Sequence, residues 1–230
     1  MRRLATLLFA TGCTTSSSGE VFTSGIHASI TARASGNGQT LVSATLYNGA
    51  PSELDYVELT GDDRLIARAN GAARALTEVQ VLNTVVHRAM FDVDASGTAF
   101  EVAFERTIDQ GAPSSTAALP LALEITSAPS TASRAQAFVV SWAPASTADA
   151  MSWSVSGDCV EDQRGPIAGD PGSVTIDAGL VVKRMGAVPD QCALAVTIER
   201  ARPGTLDSRY GRGGSIAGVQ ARTATVMSTP

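Results

Sequence analysis

The chain has 230 residues, of which 44% are hydrophobic and 5% aromatic, so it can form one large or two ordinary domains and is too apolar for wholesale disorder. Its formal net charge of −5 becomes more negative if Arg2 and Arg3 are removed. This balance argues against non-specific nucleic-acid binding and against electrostatic docking on anionic lipid, because both depend on cationic side chains.

The first thirteen residues have the pattern of an export signal. Arg2 and Arg3 precede an apolar run over residues 4–10, and the small residues Thr11 and Gly12 lead to Cys13. A basic start, a short apolar centre and small residues at the exit are typical of a secretory signal. The run is too short to span a bilayer, which needs about 20 apolar residues. The sequence therefore predicts a cleaved signal peptide over residues 1–12.

The segment Ala10-Thr11-Gly12-Cys13 resembles the lipobox of bacterial lipoproteins. The resemblance implies cleavage before Cys13 and a diacylglycerol on its sulfur, which would make a membrane the first partner. Thr14 follows the cysteine, where aspartate would favour inner-membrane retention. For a Gram-negative source this implies an outer-membrane location, facing the periplasm or the cell surface. An unanchored secreted protein, cleaved at another small-residue site, is the alternative.

Residues 13–24 are rich in Ser, Thr and Gly and predict a flexible tether that carries the lipid. An N-terminal β-sandwich domain is predicted over residues 25–112. Its first hairpin turns at Asn37-Gly38, between two runs in which apolar and polar residues alternate. Further strands are predicted over residues 56–60, 64–69, 72–84, 85–93 and 100–104.

A polar, Pro-interrupted segment over residues 107–118 predicts a domain boundary, and a second β-sandwich domain is expected over residues 118–230. Its strands are expected around residues 121–125, 138–142, 151–155, 174–176, 192–198 and 219–226. Long loops are predicted over residues 160–173 and 201–218. The strand pattern of residues 119–228 resembles an immunoglobulin or fibronectin type III-like sandwich. The predicted fold is all-β, with two antiparallel β-sandwich domains.

Three cysteines remain to be assigned in an exported chain. If Cys13 carries lipid, Cys159 and Cys192 form a pair in an oxidising compartment. A disulfide between them would stabilise the fold by about 3–4 kcal/mol in the chain-entropy description. Two buried thiols are the alternative. Both cysteines follow both tryptophans, so the cysteine order of immunoglobulin domains does not apply.

One turn resembles the opening of a calcium loop. Asp92, Asp94 and Ser96 place oxygen atoms at alternate positions, and Gly97 stands sixth. The carboxylate required at the twelfth position is replaced by Ala103, and Asp, Ser and Gly also favour an ordinary hairpin turn. The sequence therefore predicts no metal site and no cofactor, with these three residues as the weak metal candidate.

No catalytic residue is assigned. The two histidines, His27 and His87, lie in predicted strands without a recognisable nucleophile beside them. The acidic residues Asp55, Glu58, Asp62 and Asp63 are interpreted as a solvated face. Trp142 and Trp153 alternate with apolar neighbours, so we interpret them as core residues rather than a sugar-binding platform.

A glycine-rich loop near the C-terminus is the predicted partner-binding site. It contains Arg209, Tyr210 and Arg212 in an otherwise small and polar segment. Two guanidinium groups and an aromatic ring in an irregular loop can recognise an anionic or polar partner. Ordinary exposed loop structure is the alternative.

Together these features favour a lipid-anchored cell-envelope protein with a non-enzymatic binding or structural role. Its partner would be an envelope protein or polysaccharide and not nucleic acid. The alternatives are an envelope hydrolase and a calcium-dependent carbohydrate-binding protein with an unrecognised site.

Overall fold

The computed structural model describes residues 14–81 and 84–230, which form an all-β structure, as predicted. The predicted signal peptide and Cys13 lie outside the described residues. Among the described residues no helix has the length and apolar character needed to cross a membrane. The strands are β1 (Thr14–Ser17), β2 (Ile26–Ala34), β3 (Thr40–Asn48), β4 (Asp55–Glu58), β5 (Arg64–Ala69), β6 (Ala72–Ala75), β7 (Thr77–Val81), β8 (Thr84–Phe91), β9 (Ala99–Glu105), β10 (Ala112–Ala118), β11 (Glu124–Ser127), β12 (Thr131–Ser133), β13 (Phe138–Ala143), β14 (Ala150–Ser156), β15 (Gln163–Ile167), β16 (Ser173–Ile176), β17 (Cys192–Pro203) and β18 (Gly214–Thr229).

The strands form one large sheet and two small ones. The large sheet has the order β1-β4-β3-β2-β18-β17-β14-β15, with β8 and β7 joined to β3 and β12 joined to β18. The small sheets have the orders β10-β9-β5-β6 and β11-β13-β16. Most pairs are antiparallel, as predicted, whereas β1–β4, β2–β18 and β12–β18 are parallel.

The first hydrophobic core lies between the large sheet and the sheet of β5, β6, β9 and β10. The apolar positions of the predicted alternating runs point into it, including Ile30 and Val42. Phe91 and Phe100 meet edge to face there, with ring centroids 5.5 Å apart. This core also contains Ile216, which comes from a late segment of the chain.

The second core lies between β14, β17 and β18 and the sheet of β11, β13 and β16. Trp142 is buried in it, whereas Trp153 is half-buried at its edge, so the predicted core position is confirmed fully only for Trp142. Cys159 and Cys192 are joined by a disulfide at the border of this core, as predicted.

Strand β18 is shared by the two cores. Its first residues, Gly214–Gln220, pair with β2, and its last three, Met227–Thr229, pair with β12. The neighbouring strand β17, from Cys192 to Pro203, pairs with residues 217–228 of β18. One continuous hairpin therefore connects the two halves of the chain, and the linker over residues 119–123 is a second connection.

Two predictions of irregular structure are wrong. Within the first predicted loop, residues 163–167 form β15. Strand β17 extends to Pro203 and β18 begins at Gly214, so the second predicted loop contracts to residues 204–213. Glycine lets β18 begin here: a Cβ on Gly214 would lie 1.9 Å from the carbonyl oxygen of Ala28. The sequence around Gly214 predicts a loop because glycine has a low strand propensity. In the structure, the missing side chain of Gly214 instead allows close contact between two backbones.

The predicted flexible tether is also structured from Thr14 onward. Residues Thr14–Ser17 form β1 against β4, and short 3-10 helices follow at Ser18–Glu20 and Thr23–Gly25. The Ser and Thr side chains that suggested a linker instead form hydrogen bonds to the domain; Ser17 and Ser18, for example, lie 2.9 and 3.3 Å from the hydroxyl of Thr60. From Thr14 onward, the described residues of the predicted tether are therefore part of the folded domain.

Candidate functional site

Tyr210 was predicted to be an exposed contact residue, but it belongs to the first core. It is 3% exposed, and its ring stacks on Phe104 with a centroid distance of 6.4 Å and an interplanar angle of 5°. Burial, reinforced by the negative charge of Asp207, raises the pKa of its hydroxyl. The prediction is wrong for this residue, because the loop folds back and inserts its single aromatic side chain into the core.

The two arginines of the same loop remain on the surface. The Arg209 guanidinium donates to the carbonyl oxygen of Gly111 over 3.1 Å. The backbone N–H of Arg212 donates to the carbonyl oxygen of Ile26, and its own carbonyl oxygen lies 3.1 Å from Nδ1 of His27. These contacts fix the loop backbone against β2. Partner binding by Arg209 and Arg212 stays a prediction.

Arg212 lies at one end of the molecule, between two shallow depressions. Phe22, Gly25 and Gly211 line the first, and Pro51, Glu53 and Asp55 line the second. Asn48 and Arg212 line both. We call this region, together with the adjoining residues 106–110, the N-terminal end surface, because β1 begins beside it.

A small polar cluster fixes the start of β1 at this surface. The side-chain amide of Asn48 donates to Oδ2 of Asp55 over 2.9 Å and to Oγ of Ser16 over 3.2 Å. The Ser16 hydroxyl also donates to Asp55 over 2.8 Å. Asp55, interpreted from the sequence as a solvated residue, therefore holds β1 and β3 to β4.

Asp63 departs further from the predicted solvated face. Its side chain is 2% exposed and accepts a hydrogen bond from Nε of Arg106 over 3.0 Å, while Arg106 itself is 1% exposed. The same guanidinium donates to the carbonyl oxygen of Ser18 and to the hydroxyl of Thr23. This buried ion pair therefore connects the segment after β1 to the first core.

The residues of the calcium candidate each have a separate protein partner. Asp92 pairs with Arg74 over 3.0 Å, Asp94 accepts from the backbone N–H of Gly38, and Ser96 accepts from that of Ala122. Within the described part of the chain, no group of three or more His, Cys, Asp or Glu side chains could hold a metal ion. The turn connects the first hairpin to the linker between the cores.

A second buried ion pair lies beside that linker and was not predicted. Arg200 and Asp170 have fully buried side chains, with Nη2 of Arg200 2.7 Å from Oδ2 of Asp170. Arg200 also donates to the carbonyl oxygens of Leu121 and Pro144. The indole of Trp142 donates to Asp170 over 2.8 Å. The cluster joins β17, the linker and the second core.

The sequence contains a signal for this pair. In β17 the inward positions alternate as Leu194, Val196, Ile198 and then Arg200. A charged residue in register with a buried apolar series indicates a partner of opposite charge in the interior, because an unpaired charge there is costly. The signal identifies Arg200 but not Asp170, which lies in a loop.

His87 is the buried histidine of β8. It is 1% exposed, and neither ring nitrogen has a hydrogen-bond partner among the described residues. Burial lowers its pKa, while the backbone of Val57 and the charge of Glu78 act in the opposite direction and only partly offset it. The neutral ring is therefore the form that the folded protein favours.

We expect the stability of the protein to fall on acidification because of His87. The unfolded chain takes up this proton near pH 6.5, whereas the folded chain resists it, so the free energy of unfolding decreases by up to about 1.4 kcal/mol per pH unit below that value until the folded pKa is reached. Urea unfolding between pH 5 and pH 8 measures this slope. His87→Leu should flatten this slope, and an unchanged slope in that variant would refute the assignment.

No protein-family model matches this chain, and no curated protein does. Solved structures give distant likenesses. A cytokine receptor complex is 12% identical, with 88% of this chain and 95% of that chain covered at a TM-score of 0.30. Fibronectin(III)-like modules of Clostridium thermocellum CbhA are 9% identical, with 88% and 93% covered at a TM-score of 0.26. The central fibronectin-III array of RIM-binding protein is 15% identical, with 86% and 65% covered at a TM-score of 0.23. Because these TM-scores are low, the all-β assignment rests on the strand pairing of this chain.

Proposed function

We propose that this chain is an exported protein, held to a membrane by lipid on Cys13, that performs a binding or structural role in the cell envelope. The main support for the proposal is that the lipobox-like segment lies directly before the first strand of the fold. The lipobox-like segment ends at Cys13, and the residues directly after it, Thr14–Ser17, form β1. An acylated cysteine placed there would attach the whole body directly to the bilayer.

The disulfide supports export. Cys159 and Cys192 are bonded across 33 positions of the sequence. Such bonds form and persist outside the reducing cytosol. Since Cys159 and Cys192 pair with each other, Cys13 is the remaining cysteine of the three in the sequence, and the proposal assigns the lipid to it.

A binding or structural role fits the way the charged side chains are used. The buried ion pairs Arg106–Asp63 and Arg200–Asp170 connect segments of the fold, and Asp92, Asp94 and Ser96 each serve a structural contact. The exposed arginines Arg209 and Arg212 remain available for an anionic or polar envelope partner. For a Gram-negative source, Thr14 after the cysteine supports the outer membrane as the destination.

Metabolic labelling with palmitate tests the anchor. We expect the wild-type chain and the neighbouring control Thr14→Ser to incorporate label and to fractionate with membranes. Cys13→Ser should lose the label, because the acyl acceptor is gone. Intact-mass measurement of purified protein should show a chain that begins at an acylated Cys13. Label that survives Cys13→Ser, or a mature protein that retains Met1, would overturn the proposal.

A further inference from the structure

Large apolar side chains are exposed at the N-terminal end surface. Phe22 is 72% exposed and Ile108 is 77% exposed, and Leu54 at the same surface is 46% exposed. Among the described large hydrophobic residues, only Met185 is more exposed than Phe22 and Ile108. Exposed apolar residues that share one surface indicate contact with another apolar phase more strongly than isolated ones do.

Hydrogen bonds bring these side chains to one place. The backbone N–H of Thr23 donates to Asp109 over 2.7 Å, and the Thr23 hydroxyl donates to the carbonyl oxygen of Gln110, so the segment of Phe22 adjoins that of Ile108. The first of these bonds is the main cause of the lowered pKa of Asp109. Both segments are therefore docked to the domain.

The start of β1 lies at this same surface. Thr14 pairs with Asp55, the residue after Leu54. From there the cluster around Asn48 leads to Gly49, whose backbone N–H donates to Gly25 in the segment that carries Phe22. The point at which residue 13 joins the folded body and the exposed apolar side chains are thus parts of one surface.

This surface faces away from the second core. Strand β18 begins beside it at Gly214 and ends at Thr229 in the second half of the molecule. Sixteen residues of extended chain span about 50 Å at roughly 3.3 Å per residue. The N-terminal end surface and the second core therefore lie at opposite ends of a long body.

We propose that the N-terminal end surface seats on the lipid bilayer to which Cys13 is attached, with Phe22, Ile108 and Leu54 inserted at the level of the headgroups. The proposal rests on the proposed lipid anchor. Consecutive Cα atoms are about 3.8 Å apart, so a lipid on Cys13 would be linked within one residue of the docked strand β1. With so little chain between anchor and body, the surface beside β1 has to lie against the membrane.

Apolar contact, and not charge, drives this seating. The surface carries Arg212, but Glu20, Glu53 and Asp109 belong to the same surface, so it has no net basic character. Phenylalanine and leucine bind at the boundary between headgroups and acyl chains. The seating should therefore occur on uncharged lipid, and the second core should point away from the bilayer.

An environment-sensitive fluorophore tests the orientation. Cys13 is consumed by lipid and Cys159 by its disulfide to Cys192, so an introduced cysteine can be labelled selectively. Full-length lipidated Ile108→Cys and Met185→Cys are labelled and reconstituted into phosphatidylcholine vesicles. Met185 is the matched control, because it is equally apolar and 92% exposed, and its loop adjoins Cys159 in the second half of the chain. We expect a blue shift of emission at position 108 and none at position 185, with the shift reduced by Phe22→Ser.

The outcomes separate the two proposals. Intact mass is measured on the same preparations before reconstitution. Acylated protein with equal spectra at positions 108 and 185 overturns the seating and leaves the anchor intact. Protein without acyl groups on Cys13 overturns the anchor, and the seating with it.

Discussion

We expect Arg200→Met to lower the free energy of unfolding by about 3–5 kcal/mol, the range for removing one member of a buried ion pair. Asp170 would remain in the interior with its charge unpaired. The carbonyl oxygens of Leu121 and Pro144 would lose a donor at the same time. Methionine keeps most of the side-chain length, so the loss measures the missing charge more than a cavity.

Urea unfolding at pH 7 measures the effect, and the same strand provides a matched control. Arg202 pairs with Asp149 over 2.8 Å, and its side chain is 43% exposed, whereas that of Asp149 is 9% exposed. Because solvent reaches one side of this pair, whereas the Arg200–Asp170 pair is fully buried, Arg202→Met should cost less than Arg200→Met. Equal losses in the two variants would contradict the role assigned to the buried pair.

The pH dependence provides a second readout. Burial alone would raise the pKa of Asp170, but hydrogen bonds from Trp142 and Thr147 and the charge of Arg200 hold it below its usual range. Stability from this carboxylate is therefore present above the unfolded pKa of about 3.9 and is lost as the pH falls toward the lower folded value. Without Arg200 the pKa of Asp170 should rise, so the deficit of Arg200→Met should be greatest near neutral pH and shrink on acidification.

Strands could be predicted from the sequence where apolar and polar residues alternate and where turn-forming residues end the alternating run. The β2–β3 hairpin around Asn37-Gly38 and strand β9 alternate in this way, and both were predicted. The Cys159–Cys192 disulfide followed from the inference of export. Such features are local, or depend on only two residues of a distinctive type.

Features decided by distant partners could not be predicted in this way. The Ser/Thr-rich residues after Cys13 have the composition of a linker, and only the groups supplied by β4 and Arg106 show that they are docked. Tyr210 lies in a glycine-rich loop, and nothing in the sequence of this loop indicates that the Tyr210 ring stacks on Phe104 in the core. Parallel pairing of β2 with β18 joins residues nearly two hundred positions apart. A periodic pattern carries no information about such partners.

We expect Arg106→Met to release the segment between β1 and β2 and to lower the free energy of unfolding by about 3–5 kcal/mol. Asp63 would be left buried without a counter-charge. The carbonyl oxygen of Ser18 and the hydroxyl of Thr23 would lose their shared donor. Hydrogen exchange of backbone amides should therefore accelerate over residues 18–25 more than in the second half of the chain, because the lost contacts are confined to this segment.

Arg64→Met is the control for this experiment. Arg64 pairs over 2.8 Å with Glu105, the residue that precedes Arg106 in the sequence. The Arg64 side chain is 65% exposed, so Arg64→Met should lower the free energy of unfolding by at most about 1 kcal/mol. Asp63→Leu combined with Arg106→Met should recover part of the stability, because the double variant leaves no unpaired buried charge at this site. If the single Arg106 variant matched Arg64→Met, or if residues 18–25 kept their protection, this guanidinium would not be what docks the segment. The orientation inferred for a lipid on Cys13 also depends on that docking, since a released segment would no longer hold Phe22 beside Ile108 at the N-terminal end surface.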